Sequence, residues 1–173
     1  LRQKSVKAFS IISRKRQDTP MPRLALYQPD IPQNTGAAIR LCAALGIALD
    51  IIEPCGFPLN DQALRRVAMD YATQVDLMRH ASWDAFLAWK AAQSPAPRLI
   101  LLTTKATQSY TDFSFVPTDI LLLGRESAGV PDEVHTAVDA RVTIPVVARS
   151  LNIMMAGAMA VGEALRQTNE FKD

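Results

Sequence analysis

Ile120–Val134 reads ILLLGRESAGVPDEV, Arg141–Val147 reads RVTIPVV and Ala148–Arg166 reads ARSLNIMMAGAMAVGEALR. The first segment opens as a short apolar run broken by Gly124, the pattern of a buried strand that ends in a glycine loop. That loop carries one glutamate, Glu126. The second segment predicts another apolar strand, over Val142–Val146 and ending at Ile144-Pro145. A loop then leads through Ser150, Leu151 and Asn152 into a helix over Leu151–Gln167, built almost wholly of small and apolar residues. Two strand ends and a polar helix start are what a small-molecule pocket at the edge of an α/β sheet requires. The few polar groups stand out against an apolar background, so function is to be sought there.

Working outward, the chain alternates strand and helix. Leu24–Gln28, Leu49–Glu53, Val75–Met78 and Arg98–Thr103 read as strands. Gln33-Asn34-Thr35-Gly36 reads as a turn opening the helix AAIRLCAAL, which Gly46 closes. Asn60 or Asp61 caps a helix through about Tyr71, and Ser82 caps WDAFLAWKAA, which Ser94-Pro95-Ala96-Pro97 breaks. Residues 105–118 are polar loop. Pro131 starts the helix DEVHTAV. Continuous apolar strands between helices predict a mostly parallel α/β sheet covered on both faces.

At 173 residues the default is one domain with a sizeable core. The longest uncharged run, ending at Glu163, is too short to span a bilayer, so a membrane role is excluded. Cys42 and Cys55 are too few for a disulfide framework and lack metal-ligand spacing; they read as buried, reduced thiols of a cytosolic protein. No metal site is visible.

Charge is uneven. Residues 1–20 hold six Lys/Arg against Asp18, a net of +5, whereas the remaining 153 residues hold 13 basic and 16 acidic side chains, a net of −3. The folded body is therefore not basic overall, and nucleic-acid binding must rest on local patches. The basic, serine-containing leader has no long apolar core of the secretory kind and could pass for a transit peptide. Met21-Pro22 directly precedes the first good strand, so residues 1–20 are expected to be an upstream extension or cloning remnant outside the fold. A basic arm touching RNA phosphates is the next alternative.

The common cofactor motifs fail in instructive ways. No G-x-G-x-x-G follows the first strand, which disfavours a dinucleotide fold of the usual kind. Gly124 and Gly129 have the spacing of a phosphate-binding loop, but Val130 and Pro131 stand where Lys and Ser/Thr would hold phosphate and magnesium, and Glu126 would repel a polyphosphate. No G-x-S-x-G elbow occurs. His80 and His135 are isolated and read as surface or capping residues.

Three segments together resemble the SPOUT superfamily of knotted RNA methyltransferases, on its 2′-O-ribose-methylating SpoU/TrmH-like branch. They are Asn34-Thr35-Gly36 with Arg40 one helical turn later, LLLGRESAGVP with Gly124, Glu126 and Gly129, and IPVVARSLNIMMAGAMAVGEALR with Ile144, Pro145, Ser150, Leu151 and Asn152. The phrases LYQPDIPQNTG, RLCAALG, IIEPCGF, LRRVAMDY and LLTTK follow the same order as in TrmL-like tRNA (cytidine/uridine-2′-O)-methyltransferases. The resemblance runs from Met21 to about Asn169, and the segment 21–173 is expected to be a single domain. Each motif alone is weak; five in register are specific.

The resemblance implies a sheet whose C-terminal segment threads a loop as a trefoil knot, an exception among folds. It implies S-adenosyl-L-methionine (AdoMet) as cofactor, with S-adenosyl-L-homocysteine as product, held by Leu102, Gly124, Ile144 and Ser150. Core packing is the alternative role for Leu102 and Ile144. It implies a cytoplasmic homodimer whose active site is completed across the interface, acting on tRNA at the wobble nucleotide, cytidine or uridine 34. Another tRNA or rRNA position, or a catalytically silent RNA-binding protein of the same fold, are the alternatives.

The implied reaction is attack of a ribose 2′-oxygen on a sulfonium methyl. Arg40 takes the family's catalytic position. A guanidinium holds its proton too firmly to be a base at neutral pH, so its physical role is to bind the adjacent phosphate and ribose and offset developing charge. Asn34, Glu126 and Asn152 complete the catalytic set. Asn34 positions ribose or caps its helix; Glu126 holds Arg40, Asn34 or a backbone amide, or is a surface-loop glutamate; Ser150 and Asn152 cap the last helix or contact cofactor or RNA. Arg65, Arg66, Lys105 and Arg149 are candidates for RNA contact. The small residues Ala156, Gly157, Ala158, Ala160 and Gly162 predict a helix that another backbone approaches closely, in the knot core and the dimer interface.

Overall fold

A computed structural model of the chain describes residues 20–59, 71, 73–147 and 149–171. The basic extension up to residue 19, the helix expected from Asn60 or Asp61 towards Tyr71, and the RNA-contact candidates Arg65 and Arg66 lie outside the described residues. In chain order the described elements are β1 (Arg23–Tyr27), α1 (Pro32–Leu45), β2 (Leu49–Ile52), β3 (Leu77–His80), α2 (Trp83–Ala91), β4 (Leu99–Leu102), β5 (Ile120–Leu123), α3 (Asp132–Ala137), β6 (Ala140–Val142) and α4 (Ile153–Gln167).

The strands form one six-stranded sheet in the order β3-β2-β1-β5-β4-β6, with every pairing parallel. The apolar runs have no polar alternation because both faces are covered. Successive side chains point to opposite faces. Leu24, Leu26, Leu121 and Leu123 pack with Ile39 and Cys42 of α1 and Val161 and Leu165 of α4. Ala25, Tyr27, Ile120 and Leu122 pack on the other face with Phe86 of α2 and Val134 of α3. Each such leucine or isoleucine contributes roughly 1.5–3 kcal/mol by leaving water.

The small residues of α4 do let it sit close: a Cβ at Gly157 would stand 2.8 Å from Leu123 Cδ1. Among the described residues no helix is long and apolar enough to cross a membrane, and no group of three or more His, Cys, Asp or Glu side chains is placed to hold a metal. Both cysteines are free. Burial pushes the Cys42 thiol up to about 12 and the half-buried Cys55 thiol up to about 11, so both stay protonated at neutral pH.

Several expectations are corrected. The first helix begins at Pro32, not after the Gln33–Gly36 turn, because proline suits a first turn that needs no N–H. Asn34 is therefore inside α1 and does not cap it; the N-cap is Ile31, without a side-chain bond. The strand expected over Val142–Val146 lies earlier, at Ala140–Val142. Its last bond to β4 runs from Thr103 N–H to the Val142 carbonyl, after which Thr143 pairs with the 108–110 loop instead. The strand expected at Val75–Met78 lies later, at Leu77–His80.

His80 is neither a surface residue nor a cap. It is buried, with Nε2 2.8 Å from Oδ1 of the fully buried Asp50. Arg23 Nε donates to Asp50 Oδ2 at 2.8 Å. A buried carboxylate needs such partners, and this one finds them on the two strands that flank β2.

Candidate functional site

Because the strands are parallel, the loops after Tyr27, Leu102, Leu123 and Val142 leave the same edge of the sheet. Ligands collect at this edge in open α/β folds. Here the loops enclose a cavity of about 360 Å³. The four cofactor candidates Leu102, Gly124, Ile144 and Ser150 all line it, together with Asn34, Glu126 and Asn152. Arg40 does not. It is exposed on α1, about 9 Å further along the helix axis than Asn34.

The glycine loop turns back upon itself. Arg125 N–H donates to the Gly129 carbonyl and Gly129 N–H to the Arg125 carbonyl, both at 2.9 Å. This brings the backbone of Gly129 so near Gly124 that a Cβ on Gly124 would lie 2.8 Å from the Gly129 carbonyl carbon. The spacing that resembled a phosphate loop is thus a requirement of backbone contact.

The turn throws Glu126 against the loop that follows β1. Asp30 N–H donates to Glu126 Oε2 at 3.0 Å, and Glu126 N–H donates to Asp30 Oδ1 at 3.2 Å. Ser127 Oγ donates to Asp30 Oδ2. Burial and the side-chain hydrogen bond with Asp30 raise the Glu126 carboxyl above its ordinary value, while that same bond is the main cause holding Asp30 below its own. Of the partners expected for Glu126, the structure provides a backbone amide and Asn34, whose side chain also hydrogen-bonds it.

Asn152 caps α4: its Oδ1 accepts from Met154 N–H at 2.9 Å and Met155 N–H at 3.4 Å. Its Nδ2 reaches Asn34 Oδ1 at 3.4 Å. Capping leaves the amide nitrogen free to face the cavity, so the capping and site roles coexist. Ser150 lines the cavity without capping the helix. A polar chain, Asn152–Asn34–Glu126–Asp30, thus runs along the rim, joining three segments remote in sequence.

Two rim residues escaped the sequence reading. Asp30 looks like any turn acid, yet its position three residues beyond β1 puts it at the ligand edge of the sheet. Arg125 donates through Nη2 to Gln28 Oε1 and has Cζ 6.0 Å from the Tyr27 ring centroid. Its buried Nε has no partner among the described residues. Of the remaining candidates, Arg149 is exposed beside Ser150, and Lys105 is exposed in the loop after β4.

The walls are apolar, formed by Leu101, Leu102, Val130, Ile144 and Ile153. They suit the faces of a flat apolar group, whose polar edges would meet the strand-end backbone. Arg125 suits an anionic end. The volume lies at the lower end of the roughly 300–1,000 Å³ typical of small-molecule sites.

Residues 21–162 match the SpoU rRNA Methylase family. A tRNA (cytidine(34)-2'-O)-methyltransferase of Beijerinckia indica is 60% identical over 146 residues, spanning 83% of this chain and 90% of that protein. Its namesake in Escherichia coli is 42% identical over 151 residues, spanning 85% and 94%. A solved structure bearing on 2-OH methylation of C/U34 on tRNA superposes with a TM-score of 0.77 at 40% identity, covering 88% of this chain and 93% of that one. The SpoU methyltransferase AviRb of Streptomyces viridochromogenes, in complex with AdoMet, superposes at 0.78 with 25% identity, covering 90% and 64%. The family match takes in every residue that lines the cavity, and the sheet and its glycine loop are those the resemblance implied: this chain belongs to the SpoU methylase family.

Proposed function

We propose that this chain is a homodimeric, AdoMet-dependent tRNA ribose 2′-O-methyltransferase acting at nucleotide 34, working in the cytoplasm as a single domain over residues 21–173. What carries the reading is a strand-end cavity of suitable chemistry in a chain this similar to named tRNA (cytidine(34)-2'-O)-methyltransferases.

The cavity residues fit the cofactor. Leu102 and Ile144 would cover the adenine faces, and backbone groups at Gly124 and Ser150 would meet its edges. The unpartnered Nε of Arg125 would take the carboxylate. When bound, AdoMet supplies an electrophilic methyl to the ribose 2′-oxygen. Arg40 holds the neighbouring phosphate and orients the hydroxyl, and its fixed positive charge offsets the charge that develops on oxygen. The substrate phosphate or water accepts the proton, since Arg40 cannot. Asn34 and Asn152 present amides to the ribose side of the cavity, and Glu126, paired with Asp30, keeps Asn34 in place. The C-terminal segment, threading from β6 past the glycine loop into α4, forms the trefoil knot expected of this branch.

The dimer reading rests on α4. Leu151, Met155 and Met159 are spaced four apart, and all are exposed, Met155 to 64%. Such a stripe of large apolar side chains suits a partner's surface. Leu151 also lines the cavity, so a partner covering the stripe would help close the site.

The deciding experiment maps ribose methylation in tRNA incubated with the protein and AdoMet. The expected product is a 2′-O-methyl at nucleotide 34. Methylation elsewhere would reassign the substrate, and absence of AdoMet binding by calorimetry would sink the enzymatic reading.

A further inference from the structure

A second cavity of about 700 Å³ lies next to the first and contains no part of the methyl-transfer machinery. The loop leaving β4 joins the two, since Thr103 and Thr104 line the first and Lys105–Gln108 line the second. The other wall comes from α3 and β6, through His135, Thr136 and Arg141. Its lining is mainly polar, whereas the first cavity is mainly apolar.

The charge balance here departs from that of the body of the chain, which is net negative. Lys105 and Arg141 are exposed, and neither is in an ion pair among the described residues. Burial lowers the His135 pKa below its ordinary value, and the nearby charges of Lys105 and Arg141 lower it further against the opposing pull of Asp132. The one acid in the lining, Asp139, is already engaged. Its Oδ2 accepts from Leu99 N–H at 2.7 Å and lies 3.0 Å from Lys90 Nζ. Two cations with no ion-pair partner among the described residues therefore face the concavity, beside an acid committed to Lys90. Gln108 Nε2 donates to the Asp112 carbonyl and Thr136 Oγ1 to the Asp132 carbonyl, so the charge available to a ligand is that of Lys105 and Arg141. Such a set suits an anion with several acceptor oxygens.

We propose that this cavity is a phosphodiester-binding site for the RNA strand, gripping one or two backbone phosphates beside the nucleotide that enters the first cavity. The proposal rests on the tRNA reading above. A body with net negative charge needs a local cationic site to hold RNA. This one is contiguous with the site of chemistry and built from two segments, residues 105–108 and 135–141. The contact is with backbone, so it positions the RNA and carries no base specificity.

The test uses the full chain and the double variant Lys105→Gln/Arg141→Gln, with Lys105→Arg/Arg141→Lys as a charge-preserving control. Affinity for tRNA is titrated over a series of salt concentrations, and AdoMet binding is measured by calorimetry. The neutralised variant should bind tRNA at least roughly tenfold more weakly at low salt, with a log–log salt slope shallower by about 1.5. Its AdoMet affinity should be unchanged, and the control should behave as wild type. Unchanged tRNA affinity and slope in the neutralised variant would overturn the proposal while leaving the methyltransferase reading intact. A wild-type protein that binds no tRNA would overturn both.

Discussion

Asp30 and Glu126 hold each other by their backbones as well as their side chains: each residue's N–H donates to the other's carboxylate, at 3.0 and 3.2 Å. This reciprocal clasp fastens the glycine loop to the start of α1. Asp30, with its lowered pKa, contributes stability that is present above its ordinary value and lost as pH falls through the folded one. Glu126, with its raised pKa, contributes stability that is complete below its ordinary value and lost as pH rises through the folded one. The clasp is therefore most stabilising between the ordinary values of the two carboxyls and weakens on either side. Glu126→Gln imitates the protonated form at every pH. Thermal melts should place this variant nearest wild type at about pH 4, and equal to it or higher near pH 8. A clear drop at pH 8 would mean that Glu126 works as an anion. Asp30→Ala loses the acceptors and should melt about 2–6 °C lower at both pH values.

Arg40 stands apart from the cavity, exposed on α1. Arg40→Ala should therefore lower single-turnover methyl transfer to tRNA by at least about 10²-fold, while calorimetry shows AdoMet affinity within about twofold of wild type. Arg40→Lys keeps the charge but loses the planar fork and should recover only part of the rate. Full activity in the alanine variant would remove Arg40 from the mechanism.

Gly124 offers a purely steric test. The atoms a new Cβ would meet, the Gly129 carbonyl carbon at 2.8 Å and Cα at 2.9 Å, are backbone and held by the paired bonds between Arg125 and Gly129. Gly124→Ala must open that turn, at roughly 1–3 kcal/mol. It also displaces Glu126 from Asp30. AdoMet affinity should fall by more than about tenfold, read by calorimetry on protein that circular dichroism shows to be folded. Wild-type affinity would show that the turn is not part of the cofactor site.

The glycine loop and the strands beside it were legible because their causes are local. An apolar run with no alternation means two covered faces, and two glycines after it mark a tight loop, although the contact between their backbones appears only in the structure. What stayed hidden depends on partners far along the chain. His80 seemed an isolated histidine because Asp50, its partner, lies thirty residues earlier on the neighbouring strand. Asn34 seemed a cap because the turn-like Gln33–Gly36 competes with Pro32, two residues earlier, as the helix start, and because its neighbour Asn152 lies 118 residues away. The strand expected over Val142–Val146 was misplaced because its apolar pattern continues past the last bond β4 can offer. Arg40 could be named only through the family motif, since an exposed helix arginine has no distinguishing physical mark.

Met155 tests the assembly. It is the most exposed residue of the Leu151–Met155–Met159 stripe, and its own N–H is capped by Asn152. A charge placed there disturbs no core contact, so Met155→Glu should leave the monomer's fold intact. In a dimer closed over the stripe, that glutamate would be desolvated with no partner, at a cost of several kcal/mol per copy. Sedimentation at micromolar concentration should then find the variant monomeric where wild type is dimeric. Methyl transfer to tRNA should fall with the dimer, because Leu151 at the cavity wall would lose its cover. A variant that remains dimeric would place the interface on another face, and a monomer with full activity would show that each site is complete within one chain.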